Sequence, residues 1–107
     1  MEVITSNNIK CTVALAGLYN VYDPEIGLNV VDLGLIYRIN FNDNENTIET
    51  VMTLTSQFCP MGESIADDVK QSLVRSFKDY QVIVTLTFDP PWNYDFISPE
   101  GQKFLDS

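Results

Sequence analysis

Histidine is absent from this 107-residue chain, and cysteine occurs only at Cys11 and Cys59. Without an imidazole, Ser-His-Asp triads and histidine general bases are excluded. Zinc sites of the usual Cys/His kind cannot be assembled within one chain. Two cysteines do not make a disulfide framework either. Basic residues are scarce: Lys plus Arg number 6 against 15 Asp plus Glu, a formal charge of −9. So acidic a surface repels phosphate backbones, and no basic stripe offsets it, so neither nucleic acid nor an anionic membrane is expected as a partner. No apolar run approaches the ~20 residues of a membrane span. The opening MEVITSNNIK lacks the basic and apolar regions of a secretory signal. A cytoplasmic protein is expected.

Apolar side chains are plentiful, at 45% of residues with 11% aromatic, which suits a packed globule and not disorder. The length fits one domain covering residues 1–107. It suffices to bury roughly two-thirds of the unfolded surface. Over residues 9–21, IKCTVALAGLYNV, a helical line of Cys11, Leu15, Leu18 and Tyr22 predicts a first helix. Ser6, Asn7 or Asn8 can cap its start, and Asp23-Pro24 stops it. EIGLNVVDLG is rich in turn formers and reads as irregular. Leu35, Tyr37, Ile39 and Phe41 then alternate with polar residues as a half-buried strand does. NDNEN at residues 42–46 is a hairpin turn into a second, antiparallel strand over Thr47–Thr55.

From Met61 to Lys78 the period lengthens, with Ile65, Val69, Leu73 and Phe77 repeating at i+4. Val82, Val84, Leu86 and Phe88 restore a strand, parallel to the second because a helix intervenes. Ser98-Pro99 is a cap and first-turn pair for a short closing helix. The order α-β-β-α-β with that C-terminal helix predicts a two-layer α+β fold. Its small mixed sheet carries helices on one face.

Several residues are candidates for chemistry. Cys59 precedes Pro60 at the strand-to-helix junction TLTSQFCPMGESI. With Pro60 at the first helical position, Cys59 becomes the N-cap, where unpaired N–H groups favour thiolate. A helix-end effect of about 0.3–2 kcal/mol lowers its pKa by roughly 0.2–1.5 from about 8.5. Glu63 and the chain's net charge oppose this, so the activation is modest. The alternative is a small residue filling a bend. Cys11, on the apolar helix line, reads as core. Asp23 and Glu25 offer carboxylates to a metal or to lysines, although Asp before Pro is also ordinary turn chemistry. After the third strand, Asp89-Pro90-Pro91-Trp92 forms a stiff loop. Trp92 there either lids the core or anchors a partner. If the second and third strands are parallel neighbours, Cys59, Asp89 and Trp92 share one sheet edge, where ligand sites of α/β sheets commonly form.

DPEIGLNVVDLGLIY (Asp23–Tyr37), VMTLTSQFCPM (Val51–Met61) and DPPWNYDFIS (Asp89–Ser98) together resemble the signature blocks of the PaaD/SufT-like family. That family is also catalogued as domain-of-unknown-function family 59. The resemblance spans about residues 9–105 in order and spacing. It implies a small α+β domain acting in iron–sulfur protein maturation, either SUF-associated or as a targeting adaptor. It also implies that Cys59 is the functional cysteine and that Asp23 and Glu25 belong to a family hallmark. Gly101-Gln102 departs from the alanine and arginine common in relatives. The extra C-terminal cysteines of PaaD proper are missing, which favours the SUF type.

The reading is thus an auxiliary factor in iron–sulfur cluster assembly or transfer, with Cys59 as ligand to a transient cluster. Its partners would be iron–sulfur assembly proteins and apo-protein clients. A cluster generally wants four thiolates. The remaining ligands must come from a second subunit's Cys59 in a homodimer, an exogenous thiol or a partner. The alternative is a protein–protein adaptor, or a component of a larger complex, that binds no cluster. A thiol enzyme ranks behind both, because nothing supplies a general base of suitable pKa.

Overall fold

The computed structural model describes residues 3–55 and 62–106. Asn7 caps the first helix, α1 (Asn8–Leu18), its side-chain oxygen accepting from the Lys10 amide at 3.0 Å. Cys11, Ala14 and Leu18 are buried on its inner face and Leu15 is half-buried. The helix stops at Leu18, earlier than expected, and Tyr22 leaves the apolar line altogether. It is exposed in a short strand, β2 (Tyr22–Asp23), paired antiparallel with β3 (Leu28–Asn29). The stretch read as irregular therefore contains half of a small hairpin, whose turn places Gly27 at φ 82°.

The main sheet runs β1-β4-β5-β6 among the described residues. Its centre is the expected hairpin of β4 (Ile36–Asn42) and β5 (Thr47–Met52), antiparallel, with Asn46 left-handed at φ 53° in the turn. A register shift between Ile36 and Arg38 lets Ile36 and Tyr37 both be buried, which breaks the simple alternation. β5 ends at Met52, three residues before the expected Thr55.

The second helix, α2 (Gly62–Ser76), buries Ile65, Val69 and Leu73, three of the four i+4 positions. Phe77 falls just beyond its end, half-buried against the core, with its ring edge-on to Phe41 at 5.3 Å. β6 (Gln81–Leu86) follows, parallel to β5 as expected, while Phe88 lies outside the strand and is exposed. On the other flank β1 (Ile4–Thr5), which the sequence did not announce, runs parallel to β4.

One side of the sheet carries Ile39, Phe41, Ile48, Thr50, Met52 and Val82, all buried in one core with the inner faces of α1 and α2. The opposite side presents Arg38, Glu49 and Ile83, which are exposed. This is the predicted two-layer α+β arrangement, extended by β1 and the β2–β3 hairpin. A 3-10 turn (Tyr94–Phe96) leads into α3 (Pro99–Asp106). Ser98 caps α3 as expected, its Oγ accepting from the Gly101 amide at 3.0 Å. Gly101 lets α3 lie close to the hairpin: a Cβ there would come within 2.9 Å of Leu28.

Candidate functional site

β5 and β6 are parallel and in register, with Met52 opposite Leu86, so both strands finish at the same end of the sheet. The Thr87 amide extends the ladder, donating to the Met52 carbonyl at 2.9 Å. Residues 56–61, including Cys59 and Pro60, lie outside the described residues. The described neighbours on either side meet, since a Cβ on buried Gly62 would collide with the Leu54 side chain.

The chain leaving β6 is fastened across this end to the 32–37 segment by side-chain and backbone bonds. Asp89 is exposed, its amide donating to Thr87 Oγ1 at 3.2 Å, and the Asp89–Pro90 peptide is cis. Tyr37 donates its hydroxyl to the Pro90 carbonyl at 2.8 Å and meets Phe96 edge-on at 6.1 Å. Burial pushes the Tyr37 hydroxyl pKa up, against a lowering hydrogen bond with Thr53. The Trp92 indole N–H donates to the Leu33 carbonyl at 2.6 Å, and the half-buried ring packs on the core. Gly34, at φ 75°, lies directly beneath Phe96, where any side chain would run into its backbone.

Asp32 closes the strap. Its two carboxylate oxygens accept from Ser98 Oγ at 2.9 Å and from the Asn29 side-chain Nδ2 at 2.7 Å. Its own carbonyl accepts from the Ser98 amide at 2.7 Å. These bonds make Asp32 a joint between α3 and the β3–β4 connection, a wider role than the local turn cap that an Asp in a loop suggests.

Asp23 is buried, at 1% exposure, and its Oδ1 accepts from the Glu25 amide at 2.9 Å. That carboxylate is occupied by its own turn, whereas the Glu25 side chain is exposed. Beside Asp89 a cavity of about 310 Å³ is lined by Ile4, Tyr37, Arg38, Val51, Thr87 and Pro90. Tyr37 and Arg38 were not singled out from the sequence, because both read as ordinary strand residues. The one available signal was that a buried tyrosine needs a partner for its hydroxyl.

Cys11 is 5% exposed. Burial raises its thiol pKa, and a hydrogen bond with the Thr5 side chain lowers it by less. Among the described residues no three His, Cys, Asp or Glu side chains converge as a metal site. Asp23, Glu25 and Asp89 therefore form no such cage with one another. None of the described helices is long and apolar enough to cross a membrane.

The profile of an iron–sulfur cluster assembly protein family matches residues 12–88. The chain belongs to this family. A Staphylococcus aureus protein named Fe-S protein maturation auxiliary factor SufT is 42% identical over 78 residues, 73% of this chain and 88% of that one. A Fe-S protein maturation auxiliary factor of Porphyromonas gingivalis is 44% identical over 89 residues, 82% of this chain and 83% of the relative. Among solved structures, a domain of unknown function 59 (DUF59) from Bacillus anthracis superposes with a TM-score of 0.82 at 32% identity, covering 90% of each chain. The membership implied by the three sequence blocks is thus met by sequence and fold together.

Proposed function

We propose that the protein is an auxiliary factor in iron–sulfur protein maturation and that Cys59 supplies one thiolate to a cluster in transit. The observation that carries this is the placement of Cys11. Its thiol is built into the core with a raised pKa, so of the two cysteines we assign the cluster to Cys59. Family membership and the names of the relatives support the maturation role. The single core running from Cys11 to Ile97 supports reading the chain as one domain. On this reading the partners are iron–sulfur assembly proteins and apo-protein clients in the cytoplasm. A second copy, a free thiol or a partner completes the ligand set.

Handing over a cluster held this way is ligand exchange. A client thiol replaces Cys59 on iron, one iron–thiolate bond forms as another breaks, and the client's proton passes to the departing Cys59. No oxidant or reductant is required. A one-thiolate hold suits release and not storage. The carrier reading involves no catalytic residue; the Asp23 carboxylate holds its own turn and Trp92 fastens the chain after β6, while Glu25 and Asp89 remain candidate contacts for a partner.

Anaerobic reconstitution with iron and sulfide tests the proposal, using wild type, Cys59→Ser and Cys11→Ser. Only Cys59→Ser is expected to lose the visible charge-transfer absorption. Equal loading of all three proteins would overturn the assignment.

A further inference from the structure

β6 is an edge strand: among the described residues it pairs only with β5. The Gln81 amide donates to the Asn46 carbonyl at 2.8 Å, and the Thr87 amide donates to Met52. In a parallel ladder alternate residues turn their backbone groups to the same side. Gln81, Ile83, Thr85 and Thr87 therefore face β5, and the N–H and C=O groups of Val82, Val84 and Leu86 face outward.

Edges of this kind are normally blunted by charge, proline, a bulge or short length. The opposite edge is short, since β1 has only two residues. β6 has none of these protections. It is six residues long, QVIVTL, without a charge, proline or glycine, and its pairing to β5 is regular throughout. Ile83 is 43% exposed and Leu86 38%.

A groove of about 460 Å³ runs beside it, walled by α2. Glu63, Ala66, Asp67 and Lys70, at i, i+3, i+4 and i+7, form the wall, and Val82, Val84 and Leu86 line the floor. The ion pair described in the molecule, Lys10–Asp43, involves neither Glu63 nor Asp67.

We propose that the outer edge of β6 receives an extended, lysine- or arginine-bearing segment of a partner protein, which adds to the sheet as a further strand. Its backbone would pair with Val82, Val84 and Leu86, the mode in which main-chain bonds give affinity and alternate side chains give selectivity. Side chains turned toward α2 would meet Ala66 and the two carboxylates of Glu63 and Asp67. Charge selects this occupant over a second copy. Two chains of −9 each, joined edge to edge, would bring like-charged surfaces together.

The probe is an end-blocked, fluorescein-labelled peptide of alternating valine and lysine, followed by anisotropy. Two further peptides carry N-methyl groups on one or the other alternating set, which removes backbone donors without changing charge. We expect the parent to bind and one methylated frame to bind at least tenfold more weakly, with the other little affected. The double variant Glu63→Gln, Asp67→Gln should weaken binding several-fold and flatten its salt dependence. Hydrogen exchange of the Val82, Val84 and Leu86 amides should slow when the parent peptide is added. Absence of binding, or equal binding of all three peptides, overturns the proposal. So does sedimentation showing that the protein alone dimerises with those three amides already protected.

Discussion

At the scale of single residues, the two cysteines illustrate how position decides chemistry. Cys11 sits one turn into α1 with its sulfur against the core, where water that would solvate a thiolate is excluded. Because the folded pKa lies above that of an exposed thiol, the folded state holds its proton more tightly than the unfolded one. The resulting stabilisation is complete below the exposed-thiol pKa of about 8.5 and fades as pH rises through the higher folded value. In a Cys59→Ser background, alkylation of Cys11 near neutral pH is expected to be slow in buffer and much faster in urea. Comparing the two iodoacetamide rates checks this, and equal rates would place the thiol at the surface.

Among the elements, α1 and α2 approach closely at Gly17. A Cβ at Gly17 would come within 2.9 Å of Ser72 Oγ and 3.2 Å of Ser76 Oγ. Gly17→Val therefore overpacks the crossing and should cost about 1–3 kcal/mol, read as a lower urea midpoint with unchanged slope. Ser72→Ala should restore part of that loss in the double variant, because it removes the atom in the way. An additive pair would show that the helices do not meet there. The elements with a sustained period were legible from the residues alone: α2 from Ile65, Val69 and Leu73, the β4–β5 hairpin from its alternation and NDNEN turn, and the parallel β5–β6 pair from the intervening helix. Two-residue strands such as β1, β2 and β3 have no period to display, since tertiary pairing creates them. The site divides in the same way. The common end of β5 and β6 followed from strand order, whereas the bond from Ser98 to Asp32 joins residues 66 apart and leaves no local pattern.

For the whole molecule, charge is the first lever. With −9 distributed over one small domain, self-repulsion opposes the compact state. Raising salt from about 0.01 M to about 0.15 M shortens the Debye length from about 30 Å to about 8 Å. The melting temperature should therefore rise over that range; a flat or falling trend would mean that attractive pairs dominate the field. The sheet's strand order carries a different consequence. Only β4 and β5 are joined directly, by a tight turn, whereas β1 and β6 are each attached through a crossover that contains a helix. Loop closure thus favours the hairpin as an early nucleus, with the flanks added later as α1 and α2 dock. In reverse, opening α2 together with β6 leaves the hairpin paired and β1 in place. The strand with the bare edge is thus among the last to be fixed in place, and a ligand bound along it would favour the closed arrangement of α2 and β6.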